Sequence, residues 1–164
     1  MLWAGWGLKF RGVCASVGSM KNNKKKSSYK VIEHYKVEKS QYGKVVKNNQ
    51  LKPHEEDMIN CLASYGFNVE TIVPSNIPHS KNPDILMMGT FWEMKGPQTT
   101  NENTIRVLFR RAVKQANGKA IFDLRRIKKD PEGVKQYILN LFTTTRGMRR
   151  IMIIEQGKIL DFLK

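Results

Sequence analysis

Asp84, Glu93 and Lys95 are the residues of this chain whose types and spacing could do chemistry, and they lie in one stretch, NPDILMMGTFWEMKGP, residues 82–97. Pro83-Asp84 opens a short apolar run, ILMM, and Glu93 and Lys95 sit in the next, FWEMK. Two strands joined by a tight turn at Gly89-Thr90 are expected. Side chains alternate between the faces of a strand, so Glu93 and Lys95 share one face while Trp92 and Met94 point to the other, toward the core. A hairpin brings its start close to the far end of its partner, so two carboxylates and an ammonium meet at one point. Two carboxylates suit a hard divalent cation bound through oxygen. Such a cation lowers the pKa of a bound water and polarises a phosphoryl oxygen. A lysine beside it orients the water or neutralises charge growing on the phosphate. The chemistry is metal-assisted cleavage of a phosphodiester. The competing reading is an acid and a base two apart on a solvated strand face, a weak ion pair without a role.

The surrounding elements have to position that trio. Residues 52–67, KPHEEDMINCLASYGF, read as a helix with Pro53 in its first turn, acids at its N-terminal end and Gly66 at its close. Met58, Ile59, Leu62 and Ala63 form its buried stripe. Glu55 lies three and four residues before Met58 and Ile59 and projects from the inner face. Either it complements the helix dipole, or it (or its neighbour Glu56) joins the site as a third carboxylate. A strand at 68–73 and a Pro/Ser/Asn-rich loop carrying His79 and Lys81 then deliver the chain to Pro83-Asp84. Residues 104–116, TIRVLFRRAVKQA, have the clearest helical spacing, with Ile105, Leu108, Phe109, Ala112, Val113 and Ala116 on one face. Asn103 is the expected N-cap. The opposite face carries Arg106, Arg110, Arg111, Lys114 and Gln115, either a solvated face or one that contacts phosphates. Gln115, uncharged among bases, is suited to hold a phosphate or the attacking water.

Downstream, Ala120–Leu124 is a short strand and RRIKK a basic cluster, solvated or facing phosphate. Asp130-Pro131 opens a helix whose stripe is Val134, Tyr137, Ile138, Leu141 and Phe142. A strand at 151–155 follows, and 158–162 returns as an edge strand. The order of elements implies an α/β (α+β) fold, a central mixed sheet with helices on its faces. Residues 47–164 form the domain, and residues 1–46 an N-terminal extension or linker, partly disordered; the polar stretch 31–50 has room for short strands around Lys30–Val37 and Lys44–Lys47.

The chain has 164 residues and a formal net charge of +15. That excess points to a polyanion, nucleic acid first and an anionic membrane surface second. Two cysteines, Cys14 and Cys61, and three scattered histidines supply neither a disulfide framework nor a zinc signature. No run is long and apolar enough to span a bilayer.

The P-D, spacer, E-x-K pattern resembles the catalytic motif of the PD-(D/E)XK nuclease superfamily, which implies a restriction-endonuclease-like core. HEEDMINCLASYGF, PDI, FWEMKGP and LFRRAVKQANGKAIFDL together resemble the C-terminal tRNase toxin domain of CdiA-type contact-dependent inhibition proteins, over roughly residues 47–164. The resemblance implies that Asp84, Glu93 and Lys95 are catalytic, with Glu55 as the helix-borne acid of many superfamily members. It implies that Asp84, Glu93 and Glu55 ligate a divalent metal, Mg²⁺ ahead of Mn²⁺ or Zn²⁺, and that Arg111 and Gln115 are the polar positions of the later helix. It further implies cleavage of tRNA in the cytoplasm of a competitor bacterium into which the domain is delivered, and a cognate immunity protein. Two alternatives stand beside it: a DNA endonuclease of the same fold, in repair, junction resolution or mobile-element maintenance, and a non-catalytic nucleic-acid-binding module.

Overall fold

The computed structural model describes residues 29–78 and 80–164. The apolar N-terminal segment, the lysine-rich stretch up to residue 28 and His79 lie outside the described residues. The elements run β1 Lys30–His34, a 3-10 turn Lys39–Gln41, β2 Val45–Val46, α1 Pro53–Ser64, β3 Val69–Thr71, β4 Ile85–Met87, β5 Thr90–Lys95, α2 Glu102–Gln115, β6 Lys119–Asp123, α3 Pro131–Thr144, β7 Arg150–Ile154 and β8 Ile159–Leu163. The strands form one mixed sheet in the order β1-β8-β7-β6-β5-β4-β3-β2. β5, β6 and β7 are parallel, and α2 and α3 make the crossovers that parallel neighbours require.

Both faces of the sheet are covered, as the expected fold class requires. Met58, Ile59 and Leu62 of α1 share a core with Ile85, Trp92, Met94, Ile121, Met152 and Ile154. Ile105, Phe109 and Ala112 of α2 and Val134, Ile138 and Phe142 of α3 share a second with Ala120, Phe122, Ile151, Ile153, Leu160 and Phe162. Alternate residues of β6 and β7 thus feed opposite cores, which is why AIF and IMII carry no polar face. Each large side chain so buried contributes about 1.5–3 kcal/mol. Among the described residues no helix is long and apolar enough to cross a membrane.

The structure departs from the expected elements in four places. The β4–β5 turn is Met88-Gly89, one residue earlier than expected, with φ of 53° and 68°. Both central residues of a two-residue hairpin turn take positive φ when the turn matches the strand twist, and Gly89 alone meets that demand without strain. The N-cap of α2 is Asn101, whose side chain accepts from Thr104 N, so Asn103 lies inside the helix. β8 is an interior strand, because β1 pairs along its whole length. The sheet therefore begins at Lys30, upstream of the boundary drawn at residue 47, with β1 and β2 as its two edges. Both edges fall where short strands are expected, around Lys30–Val37 and Lys44–Lys47, but such short, polar strands carry too little hydrophobic pattern to show that they belong to the sheet.

Candidate active site

Asp84 sits just ahead of β4, where the ladder between β4 and β5 runs out. Its backbone N–H donates to Trp92 O at 3.1 Å. Its Oδ2 accepts from Met94 N at 2.6 Å. The two bonds bracket Glu93 and set the two carboxylates side by side. On β5, Trp92 and Met94 turn into the core under α1. Glu93 and Lys95 turn to the opposite face, in register with Ala120 and Phe122 of β6. α2 covers that face. Glu93 is consequently 5% exposed, far more buried than a solvated ion pair would be.

Lys95 Nζ donates to Glu93 Oε1. Glu93 Oε2 is buried and has no partner. A buried carboxylate oxygen without a hydrogen bond costs about 1–3 kcal/mol or more, so a purely structural acid would be out of place here. The electrostatics agree. Burial and then the charge of Asp84 push the Glu93 carboxyl up to about 7, against the opposing pull of Lys95. Burial also raises Asp84, opposed by the Met94 N–H and Lys95 and reinforced by Glu55. Two neighbouring acids raised by burial, Glu93 also by the charge of Asp84, are a site that a cation would relieve.

The residues singled out in the sequence divide into three groups. Asp84, Glu93 and Lys95 come together. Glu55 is close enough to Asp84 to act on its charge, but its Oε2 accepts from Lys52 N at 2.9 Å, closing the first turn of α1. Among the described residues no group of three or more acidic, histidine or cysteine side chains is placed to hold a metal. Asp84 and Glu93 are the pair that could hold a cation, the orphan Oε2 being the atom left open to it. Arg110, Arg111 and Lys114 lie on the exposed face of α2.

Gln115 is half-buried. Its Oε1 accepts from Asn82 N at 2.8 Å. Two residues on, just past the helix, Asn117 Oδ1 accepts from Lys81 Nζ at 2.7 Å. The C-terminal end of α2 therefore clamps the loop that ends in Pro83-Asp84. Asn82 itself was not read from the sequence as part of the site. It also ties the loop internally, its Oδ1 accepting from Ser75 N at 2.9 Å. The signal was present in the Asn-Pro-Asp triplet, a turn-forming sequence directly ahead of a strand.

Residues 81–159, just under half of the chain, match the contact-dependent growth inhibition CdiA C-terminal domain. The matched stretch takes in Asp84, Glu93, Lys95 and the clamp at Gln115, and leaves out Glu55. The fold is similar to that of a chain in the CdiA-CT/CdiI toxin and immunity complex from Burkholderia pseudomallei, with a TM-score of 0.58 and 21% identity over 74% of this chain and 100% of that one. No curated protein matches the chain.

Proposed function

We propose that this chain is a toxin domain of contact-dependent inhibition that cleaves RNA, tRNA ahead of DNA, as a metal-dependent endonuclease of the PD-(D/E)XK type. The observation that carries the reading is Glu93: a buried carboxylate beside a second one, with a lysine on one oxygen and nothing on the other. The match over residues 81–159 supports the toxin role.

Asp84 and Glu93 are the groups that would hold the divalent cation, Mg²⁺ ahead of Mn²⁺ or Zn²⁺. A bound cation of this kind supplies a water acidic enough to attack and polarises the phosphoryl oxygen. The chain's own residues do the rest. Met94 N–H fixes the Asp84 carboxylate, and the Gln115–Asn82 clamp fixes the loop behind it. Lys95, held against Glu93 by its bond to Oε1, would orient the attacking water or meet the negative charge that builds on the phosphate. The net charge of +15 draws in the polyanion. The site of action is the cytoplasm of a target bacterium after delivery, and a cognate immunity protein guards the producing cell.

A DNA endonuclease with the same residues is the second reading, since both substrates present the same phosphodiester. Purified protein is incubated with total tRNA and, separately, with plasmid DNA, each in Mg²⁺, Mn²⁺, Zn²⁺ or EDTA, beside the Glu93→Gln variant. Discrete tRNA fragments that require both metal and Glu93 bear out the proposal. Cutting of DNA alone moves the chain to the second reading. Binding without cutting in any metal reduces it to a non-catalytic nucleic-acid-binding module.

A further inference from the structure

The parallel strands β5 and β6 end together, Lys95 opposite Phe122. Both chains then leave the sheet on the same side, and the two departing segments enclose an open cleft lined by Gln98, Thr99, Thr100, Arg126, Lys128 and Lys129, with Ile127 as its apolar member. Three cations and two hydroxyls face the cleft, and no acidic side chain lines it. With its carboxamide oxygen turned to the guanidinium, Gln98 accepts from Arg126 at 2.6 and 3.0 Å. That neutral partner holds Arg126 in place and leaves its charge uncompensated. Arg125, the neighbouring base, is by contrast spent on Asp123 and Asp57. Thr99 and Thr100 lead directly to the α2 N-cap at Asn101, so the positive end of that helix adds to the same field.

We infer that this cleft is a phosphate subsite for the nucleic-acid strand, holding a backbone phosphate next to the one that is cut. The inference rests on the proposed nuclease reading and specifies how that site takes its substrate. Gln98 is three residues beyond Lys95, a reach of at most about 10 Å along the chain. That distance is about one to two nucleotides of an extended strand, so a strand whose scissile phosphate lies at Glu93 and Lys95 carries a neighbouring phosphate into the cleft. Arg126 and the two lysines supply charge-assisted donors, and the threonine hydroxyls complete them. Contacts of this kind position the strand without reading its sequence.

The test compares two triple variants with equal charge loss, both in the Glu93→Gln background so that RNA stays intact. One carries Arg126→Ala, Lys128→Ala and Lys129→Ala. The other carries Lys36→Ala, Lys39→Ala and Lys44→Ala, exposed residues around the far end of α1, where Val37 N and Gly43 N bond to Ser64 O and Ala63 O. Binding of total tRNA is measured over a salt series in EDTA. The cleft variant is expected to bind about tenfold more weakly and to lose about one unit of the salt slope, while the control stays close to the parent. In proteins that retain Glu93, the cleft variant is expected to raise KM about tenfold with kcat little changed. Equal weakening in both triples, or none in the cleft variant, overturns the inference while leaving the nuclease reading intact. If the parent cleaves no nucleic acid but the cleft variant alone loses binding, the subsite stands and the nuclease reading falls.

Discussion

Asp161 and Glu93 are both buried carboxylates on strands of the same sheet, 0% and 5% exposed, and the chain surrounds them in opposite ways. Both oxygens of Asp161 are taken. Arg150 Nε donates to Oδ1 at 2.9 Å and its terminal nitrogen to Oδ2 at 2.5 Å, and His34 Nε2 stands 3.5 Å from Oδ2. Burial pushes the Asp161 carboxyl up, but the hydrogen bonds from Arg150 and His34 outweigh it and the net shift is downward. Glu93 has a second acid as its neighbour and one oxygen bare, and its shift is upward. A satisfied buried pair locks β1, β7 and β8 together. An unsatisfied one, held in place by packing on both faces, is a site waiting for charge.

That contrast can be broken most decisively at Glu93. The Glu93→Gln variant is expected to lose RNA cleavage by about 10³-fold or more, with its urea midpoint at neutral pH unchanged or higher, because the variant removes a buried charge. Wild-type cleavage by this variant ends the catalytic assignment. A large loss of stability would mean that Glu93 holds the fold together, as Asp161 does.

The mirror experiment is Asp161→Asn. It leaves Arg150 without its counter-charge and is expected to cost about 3 kcal/mol in urea unfolding. Cleavage per folded molecule should be retained. Loss of cleavage without loss of stability would make the two regions one functional unit and erase the comparison.

Acid and base separate the two carboxylates next. The folded-state value of Glu93, about 7, lies above the ordinary 4.5. The folded protein therefore keeps a proton that the unfolded chain releases between those values. Stability in EDTA should fall as pH rises from about 4.5 to about 7, by at most about 3 kcal/mol, and Glu93→Gln should flatten that slope. Asp161 has the other sign. Its lowered carboxyl contributes fully above its ordinary 3.8 and loses that contribution as pH falls through the lowered value. Urea midpoints measured from about pH 3 to about pH 8 read both. A flat upper limb in the parent would contradict the buried, proton-holding state of Glu93.

The smallest expected effect sharpens the site's supporting clamp. Gln115→Ala leaves Asn82 N without its acceptor and should cost about 1 kcal/mol of stability, with cleavage reduced about tenfold through kcat. Gln115→Glu keeps an acceptor oxygen in place and should recover most of the kcat. If RNA affinity falls in both variants and kcat in neither, Gln115 contacts the nucleic acid and does not hold the loop.

The amino-acid sequence by itself determined the elements with strong local patterns. Pro53 and Asp130-Pro131 mark helix starts, and the stripes Ile105–Phe109–Ala112 and Val134–Ile138–Phe142 bury as their spacing demands. The pattern of Pro83-Asp84 and Glu93-x-Lys95 was enough to nominate the trio, because strand alternation is a local rule. Tertiary structure decided what that rule does not reach. Parity put Glu93 and Lys95 on one face, but only the arrival of α2 over that face made Glu93 buried and short of a partner. Glu55 was legible as an acid on the inner face of α1, and only the fold turned its carboxylate back to Lys52 N. Gln115 read as one polar residue among the bases of α2, and only the approach of the Asn82 loop made it a clamp. The edge strands were legible as short strands around Lys30–Val37 and Lys44–Lys47, but not as members of this sheet: β1 and β2 are short and polar, and they join it because β8 and β3 offer them open hydrogen-bonding edges. Local sequence sets what a residue can do, while burial, proton affinity and partner depend on elements that arrive from elsewhere in the chain.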